Sequence, residues 1–216
     1  MAERPVFVPS TKGSRLVVEV PVEFAWHSGM APSQKKKNVA ELHNAARARG
    51  LNNLLEVSSK SDMEIGRRLS AFHQKVLVDG RRVPLESVFQ SSKEFEFGGP
   101  YTDLLFSEPR DAKRDPRLQD SGRLRRFTFG GQHFPLSPPT VFYDWLYFSA
   151  IFPERDWLLR LQKLDGFTDI EFNPSRSVNC QARSCALFVS LETRGLLDEA
   201  MSSFESFLAI QKASFL

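Results

Sequence analysis

The chain has 216 residues, which suits one domain, or one domain with an extension. Hydrophobic residues make up 41% and charged residues 25%, so the composition excludes disorder and supplies a real core, and the net charge is only +3. Nothing approaches 18 consecutive apolar residues and the N-terminus has no apolar leader, so a soluble, cytoplasmic protein is expected, with no membrane partner.

In chain order, residues 5–24 predict strands, because Arg15 to Phe24 is rich in β-branched residues and residues 11–14 offer a turn; Pro21 places this run at an edge or a bulge. Residues 33–49 predict a helix with Val39, Leu42, Ala45 and Ala46 on one side and Gly50 as its stop. Leu54 to Ser58 is a short apolar strand. Two hairpins follow, one turning at Asp79-Gly80 and one at Gly130-Gly131. Pro84 suits the first position of a helix with Leu85, Val88 and Phe89 on its buried side.

A second helix starts at Ser137-Pro138-Pro139, runs through Phe152 and is apolar nearly all round, so Asp144 within it needs a partner or a job. Residues 154–164 read as an amphipathic helix through Trp157, Leu158, Leu161 and Leu164. Residues 167–172 alternate, with Ile170 and Phe172 facing one way and Asp169 and Glu171 the other. A helix carrying Ala182, Cys185, Ala186 and Val189 ends at Gly195, and one last helix uses Leu197, Met201, Phe204 and Leu208. The sum is an α+β fold, mainly helical, with small antiparallel sheets.

Several residue groups bear on chemistry. Glu86, Gln90 and Lys93 fall on one stripe of a helix, which suits an acid/base site or an ordinary solvated face. Asp144 sits between Tyr143 and Trp145, and Asp169, Glu171, Asn173, Asn179, Gln181 and Arg183 share one late segment. Carboxylates, amides and a lysine among many rings fit a sugar-nucleotide pocket, with nineteen Phe to line it. Asn179 reads equally well as a helix N-cap.

Between Arg110 and Arg126 seven Lys/Arg stand against three Asp, which favours a polyanion or simply a solvated loop. Cys180 and Cys185 point apart on a helix, so no local disulfide is expected, and the four histidines have no metal spacing. Gly-rich phosphate loops and a nucleophile elbow are absent. Ser58-Ser59-Lys60 reads as a strand end with turn residues.

Leu69-Ser70-Ala71-Phe72, Gly80 and Glu86-Ser-Val-Phe89-Gln90-Ser-Ser-Lys93 follow an order and spacing that resemble the NADAR family of YbiA-like N-glycosidases. Tyr143-Asp144 sits where that family usually has a Tyr-Glu-type pair, and residues 179–191 resemble its closing helix. Ala71 replaces the usual Asn, and the closing helix lacks the usual Gly. The segments 97–105 and 167–174 resemble the branch paired with DarT-type DNA ADP-ribosyltransferase toxins.

The resemblance implies a NADAR/YbiA-like fold, with residues 1–65 as a β-rich N-terminal extension packed on a catalytic domain of residues 66–216. It implies an antitoxin that removes ADP-ribose from guanine in DNA, single-stranded by expectation, with free ADP-ribose as product, a cognate DarT-type toxin as functional partner and neither metal nor cofactor. The catalytic candidates are Lys93, Glu86, Asp144 and Glu171, and Ser70, Phe72, Gln90, Tyr143, Asn179 and Gln181 would contact ADP-ribose. Gly99, Tyr101, Arg125 and Arg126 would contact the base or the DNA. Two other functions stay open: an N-glycosidase on a riboflavin-pathway ribosylated intermediate, and a non-catalytic module that binds ADP-ribose or sequesters the toxin.

Overall fold

The computed structural model describes residues 1–29, 31–175 and 177–214. In chain order its elements are β1 (Ala2–Pro9), β2 (Val17–Phe24), α1 (Pro32–Arg47), β3 (Leu54–Glu56), α2 (Glu64–Arg68), β4 (Lys75–Val78), β5 (Arg81–Pro84), α3 (Leu85–Ser91) and β6 (Lys93–Phe95). Then come α4 (Pro109–Arg114), α5 (Arg117–Asp120), β7 (Leu124–Phe129), β8 (Gln132–Phe134), α6 (Val141–Ile151), α7 (Arg155–Leu158), β9 (Gly166–Thr168), α8 (Gln181–Thr193), α9 (Leu197–Ser202) and α10 (Phe204–Ala213). This is the mixed α+β architecture that the periodicities predict. The chain forms two compact units, named by their place in the sequence: the inner unit, residues 71–153, and the outer unit, of the residues that precede and follow them in the chain.

The outer unit is built on a sheet of order β2-β1-β9-β3. Pro21 lies on β2, the edge strand, where its missing N–H costs no ladder bond. β1 and β2 pair antiparallel along their whole length, while β3 and β9 pair in parallel. The apolar stripe of α1 (Val39, Leu42, Ala46) packs with Val6, Val22, Phe24 and Ile170. The residues of α8 are buried almost throughout, Cys185 among them; Cys180, just before the helix, is buried too, and both thiols are free.

Three element readings change. Residues 154–164 do not make one α-helix: α7 tightens into a 3-10 turn over Leu159–Lys163. There Arg160 Nε donates to the Trp157 carbonyl (2.8 Å), the acceptor an α-helix would give to residue 161. The last helix is two, α9 and α10, because Ser203 is extended and its hydroxyl accepts the Ser206 N–H as an N-cap. The strand predicted over residues 167–172 stops at Thr168. Asp169 Oδ1 accepts the Glu171 N–H (3.0 Å) and the Asp169 carbonyl accepts the Phe172 N–H (3.1 Å), a turn that buries Asp169 and leaves Glu171 exposed. The two acids therefore do not share a face.

The inner unit holds both predicted hairpins. Asp79 and Gly80 (φ 48° and 75°) join β4 to β5, and Gly130 and Gly131 (φ 57° and 75°) join β7 to β8, the left-handed pairs that two-residue hairpins require. Pro84 closes β5 and caps α3 with extended ψ, so the helix starts at Leu85, one residue later than predicted. β7 lies between β6 and β8, and α6 supplies Phe142, whose ring centroid is 4.6 Å from those of both Phe127 and Phe134. Phe89 of α3 joins this cluster 5.1 Å from Phe127.

Candidate active site

The sequence predicts one helix for Glu86, Gln90 and Lys93. α3 carries the first two and stops before the third. The hydroxyls of Ser91 and Ser92 both donate to the Val88 carbonyl (3.0 and 2.6 Å), which closes the last turn. The Ser92 carbonyl then accepts the Thr128 N–H (2.7 Å), and Lys93 pairs with Phe127 as the first residue of β6. The strand captures the lysine because a sheet partner is available just where the helix ends.

Strand alternation then aims the side chain. Lys93 sits opposite Phe127, a ring buried in the aromatic cluster, while Glu94 on the opposite face reaches Arg126 and Thr128. The Lys93 ammonium lies 5.1 Å from the centroid of the Phe89 ring. Burial pulls its pKa below 10.5; the Glu86 carboxylate opposes that shift, and Lys113 reinforces it. Only 17% of the Glu86 side chain is exposed, so this is no solvated face. Gln90 Nε2 donates to Glu86 Oε1 (2.7 Å), and Lys113 Nζ stands 3.8 Å from the same oxygen. The other end of Gln90, Oε1, is buried and accepts nothing within the described residues. A buried acceptor without a donor is costly unless a ligand supplies one.

Asp144 has the partner its burial demands. It accepts from Thr140 Oγ1 (2.7 Å) in the first turn of α6, where the helix dipole favours a carboxylate. Tyr143 is buried in the same unit, edge-on to Phe89 at 5.5 Å, whereas Phe72 is 66% exposed. Gly99 has φ +83°, and a Cβ there would lie 2.3 Å from the Lys93 carbonyl, so this glycine lets its loop cross the backbone of the lysine strand. Tyr101 is committed within its own unit: its hydroxyl bonds that of Ser121, and the Arg117 guanidinium covers its ring at 4.4 Å.

The basic run from 110 to 126 is largely neutralised. Arg117 bonds Asp103 and Asp115, Arg125 bonds Glu96 (2.6 Å), and Arg126 grips Glu94 with two bonds (2.9 and 2.7 Å). Bonds from Arg126 and Thr128 hold the Glu94 carboxyl down at about 2. Arg110, Arg114 and Arg123 are exposed and have no carboxylate partner among the described residues.

In the outer unit, Ser70 Oγ and Asn179 Oδ1 are buried without partners among the described residues. Asn179 is not the N-cap of α8; Cys180 is, with no side-chain bond. Gln181 Nε2 donates to the Val57 carbonyl (3.0 Å), and the exposed Glu171 pairs with Lys35 at 3.4 Å.

The same unit holds an acid cluster that sequence reasoning missed. Glu56 accepts from Ser58 Oγ (2.6 Å), Thr168 Oγ1 (2.7 Å) and the Ile170 N–H (2.9 Å). Thr168 has one proton to give, so His43 Nε2, 2.8 Å away, is the donor to Thr168. Burial lowers the His43 pKa to about 4, which keeps that ring neutral. Burial raises Glu56 from 4.5 to about 7 and, with the nearby Glu56 charge, raises Asp169 well above its usual range. Cys180 Sγ lies 3.9 Å from Asp169 Oδ2. A Glu inside the apolar run Leu54-Leu55-Glu56-Val57 was a legible signal of the same kind as Asp144.

This cluster sets a stability profile. The folded state favours protonated Glu56, so that contribution is full below about pH 4.5 and is lost as pH rises through about 7. The loss is about 3 kcal/mol for a shift of this size. Denaturant unfolding of Glu56→Gln between pH 5 and 8 is expected to show a shallower decline than the parent, with a remainder from Asp169; an unchanged slope would remove Glu56 from the cause.

No helix among the described residues is long and apolar enough to cross a membrane. Comparison with curated proteins finds no match to the sequence. The family model for the DarT1-associated NADAR antitoxin matches residues 2–215, and with nearly the whole chain covered the protein belongs to that family.

Proposed function

We propose that this protein hydrolyses the N-glycosidic bond between ADP-ribose and guanine in DNA, and so counteracts a DarT1-type ADP-ribosyltransferase. The observation that carries this reading is Lys93: an amine with a lowered pKa, over an aromatic ring, in the field of a mostly buried carboxylate. The lowered pKa makes the neutral, nucleophilic form of this amine more available than in an exposed lysine. That form attacks the anomeric carbon of the opened sugar to give a Schiff base, the guanine leaves with a proton, and water then releases ADP-ribose and regenerates the amine. In the alternative route Lys93 hands its proton to the departing base. Glu86 orients the amine and offsets positive charge on the sugar. The unfilled acceptor Gln90 Oε1, beside Glu86, supports a contact to a ribose hydroxyl or another ligand donor. Asp144 would position water.

The test is to incubate the protein with single-stranded DNA carrying an ADP-ribosylated guanine and to weigh the strand. Turnover restores the unmodified mass. Stable one-to-one binding without product would leave the non-catalytic module in its place. One observation favours the riboflavin-pathway reading: Lys113, Arg117, Arg125 and Arg126 stand beside carboxylates, which reduces the charge left for phosphates. The salt dependence of substrate binding separates the two, since only a nucleic acid gives a steep slope.

A further inference from the structure

Phe97 is 81% exposed, more than any other Phe among the described residues. Its loop is held on both sides. The Glu96 N–H donates to the Arg123 carbonyl (3.0 Å), the Phe97 N–H to the Ser121 carbonyl (3.0 Å), and the Phe95 N–H to the Gly98 carbonyl (2.7 Å). A Cβ on Gly122 would stand 2.8 and 2.9 Å from two ring carbons of Phe97, so the ring edge rests on bare glycine backbone. The result is a flat apolar surface, fixed on one side and open to solvent on the other. Tyr101, four residues on, offers no such face because Arg117 covers it. The Arg123 side chain, on the segment that pairs with the Phe97 loop, is exposed without a carboxylate partner among the described residues, and Arg125 is 65% exposed.

Resting on the reading that DNA is the substrate, we propose that Phe97 is a stacking platform for one unpaired nucleobase of the strand, with Arg123 binding a flanking phosphate. A rigid ring loses little freedom when a base covers it, and stacking takes any base, which suits an enzyme that meets its modified guanine in varied sequence. Arg123, whose carbonyl accepts the Glu96 N–H next to Phe97, would supply the charge that selects a polyanion over an apolar protein surface.

The test uses a fluorescein-labelled, unmodified single-stranded oligonucleotide of mixed sequence and anisotropy titration of the full chain. Because this strand carries no ADP-ribose, the result does not depend on whether Lys93 breaks a glycosidic bond. Phe97→Ala is expected to weaken binding about tenfold and leave the salt slope unchanged. Phe97→Trp is expected to keep the affinity and to add fluorescence quenched by the strand. Arg123→Ala is expected to lower the salt slope by about 0.7, the single-strand value per phosphate. Far-UV circular dichroism checks that each variant folds. The proposal is overturned if the parent protein does not bind the strand, if Phe97→Ala binds it as well as the parent, or if Phe97→Ala loses affinity for a DarT1-type toxin while keeping its affinity for DNA.

Discussion

Replacing Lys93 with alanine is expected to lower release of ADP-ribose by at least about a thousandfold while the fold stays intact. The side chain lies at the rim of the aromatic cluster rather than filling it, so its removal leaves Phe89, Phe127 and Phe142 packed. Lys93→Arg is expected to fail equally, because a guanidinium does not lose its proton in the working range. The pH profile distinguishes the two roles. As a nucleophile the amine must be neutral, so the rate rises with pH and levels off below the ordinary lysine value of 10.5, in the direction that burial moves the group. As a proton donor it must be charged, and the rate falls over the same range. Borohydride added during turnover traps a Schiff base as a stable adduct on Lys93. Full activity in Lys93→Ala would remove the amine from the mechanism altogether.

The second large effect is structural and reaches the same site. Phe142 is fully buried and stacks on Phe127 (4.6 Å, interplanar 25°) while meeting Phe134 at 4.6 Å and Phe89 at 6.2 Å. One ring thus ties α6 to β7, β8 and α3. Phe142→Ala is expected to destabilise the inner unit by about 3–5 kcal/mol, the transfer loss plus the cavity left behind. Phe142→Leu, which fills most of the space, is expected to cost about 1–2 kcal/mol. Phe127 is the strand partner of Lys93 and Phe89 carries its ammonium. Activity should therefore fall in Phe142→Ala even at temperatures where the protein remains folded. Urea midpoints followed by far-UV circular dichroism measure the first effect, and turnover well below the transition measures the second. A change under about 1 kcal/mol for the alanine variant would mean the cluster is not the support described here.

The local rules of the chain were legible where a few neighbouring residues decide the outcome. Asp79-Gly80 and Gly130-Gly131 adopt left-handed backbone that only such pairs tolerate together, so both hairpins could be read directly. The apolar stripe of α1 and the edge position of Pro21 follow from periodicity and a missing N–H. Even the break at Ser203 had a local signature, a capping serine three residues ahead of Ser206, which the longer apolar pattern masked.

Residues whose setting depends on distant partners were not legible. A strip of Glu86, Gln90 and Lys93 on one helix is what spacing alone requires, yet Lys93 joins a strand because Phe127, far along the chain, offers it a ladder partner. Arg125 and Arg126 read as free charge until the register of β6 against β7 set Glu96 and Glu94 beside them. Asp169 looks like an ordinary strand acid in sequence, and burial together with the nearby Glu56 raises its pKa well above the usual range. What the sequence determined by itself was the mixed α+β class, the two hairpin turns and the apolar stripe of α1, because those rest on short-range sterics and side-chain type. What only the tertiary structure decided was which of those groups lose water and which keep a charge, because desolvation and pairing are set by residues that meet only after folding.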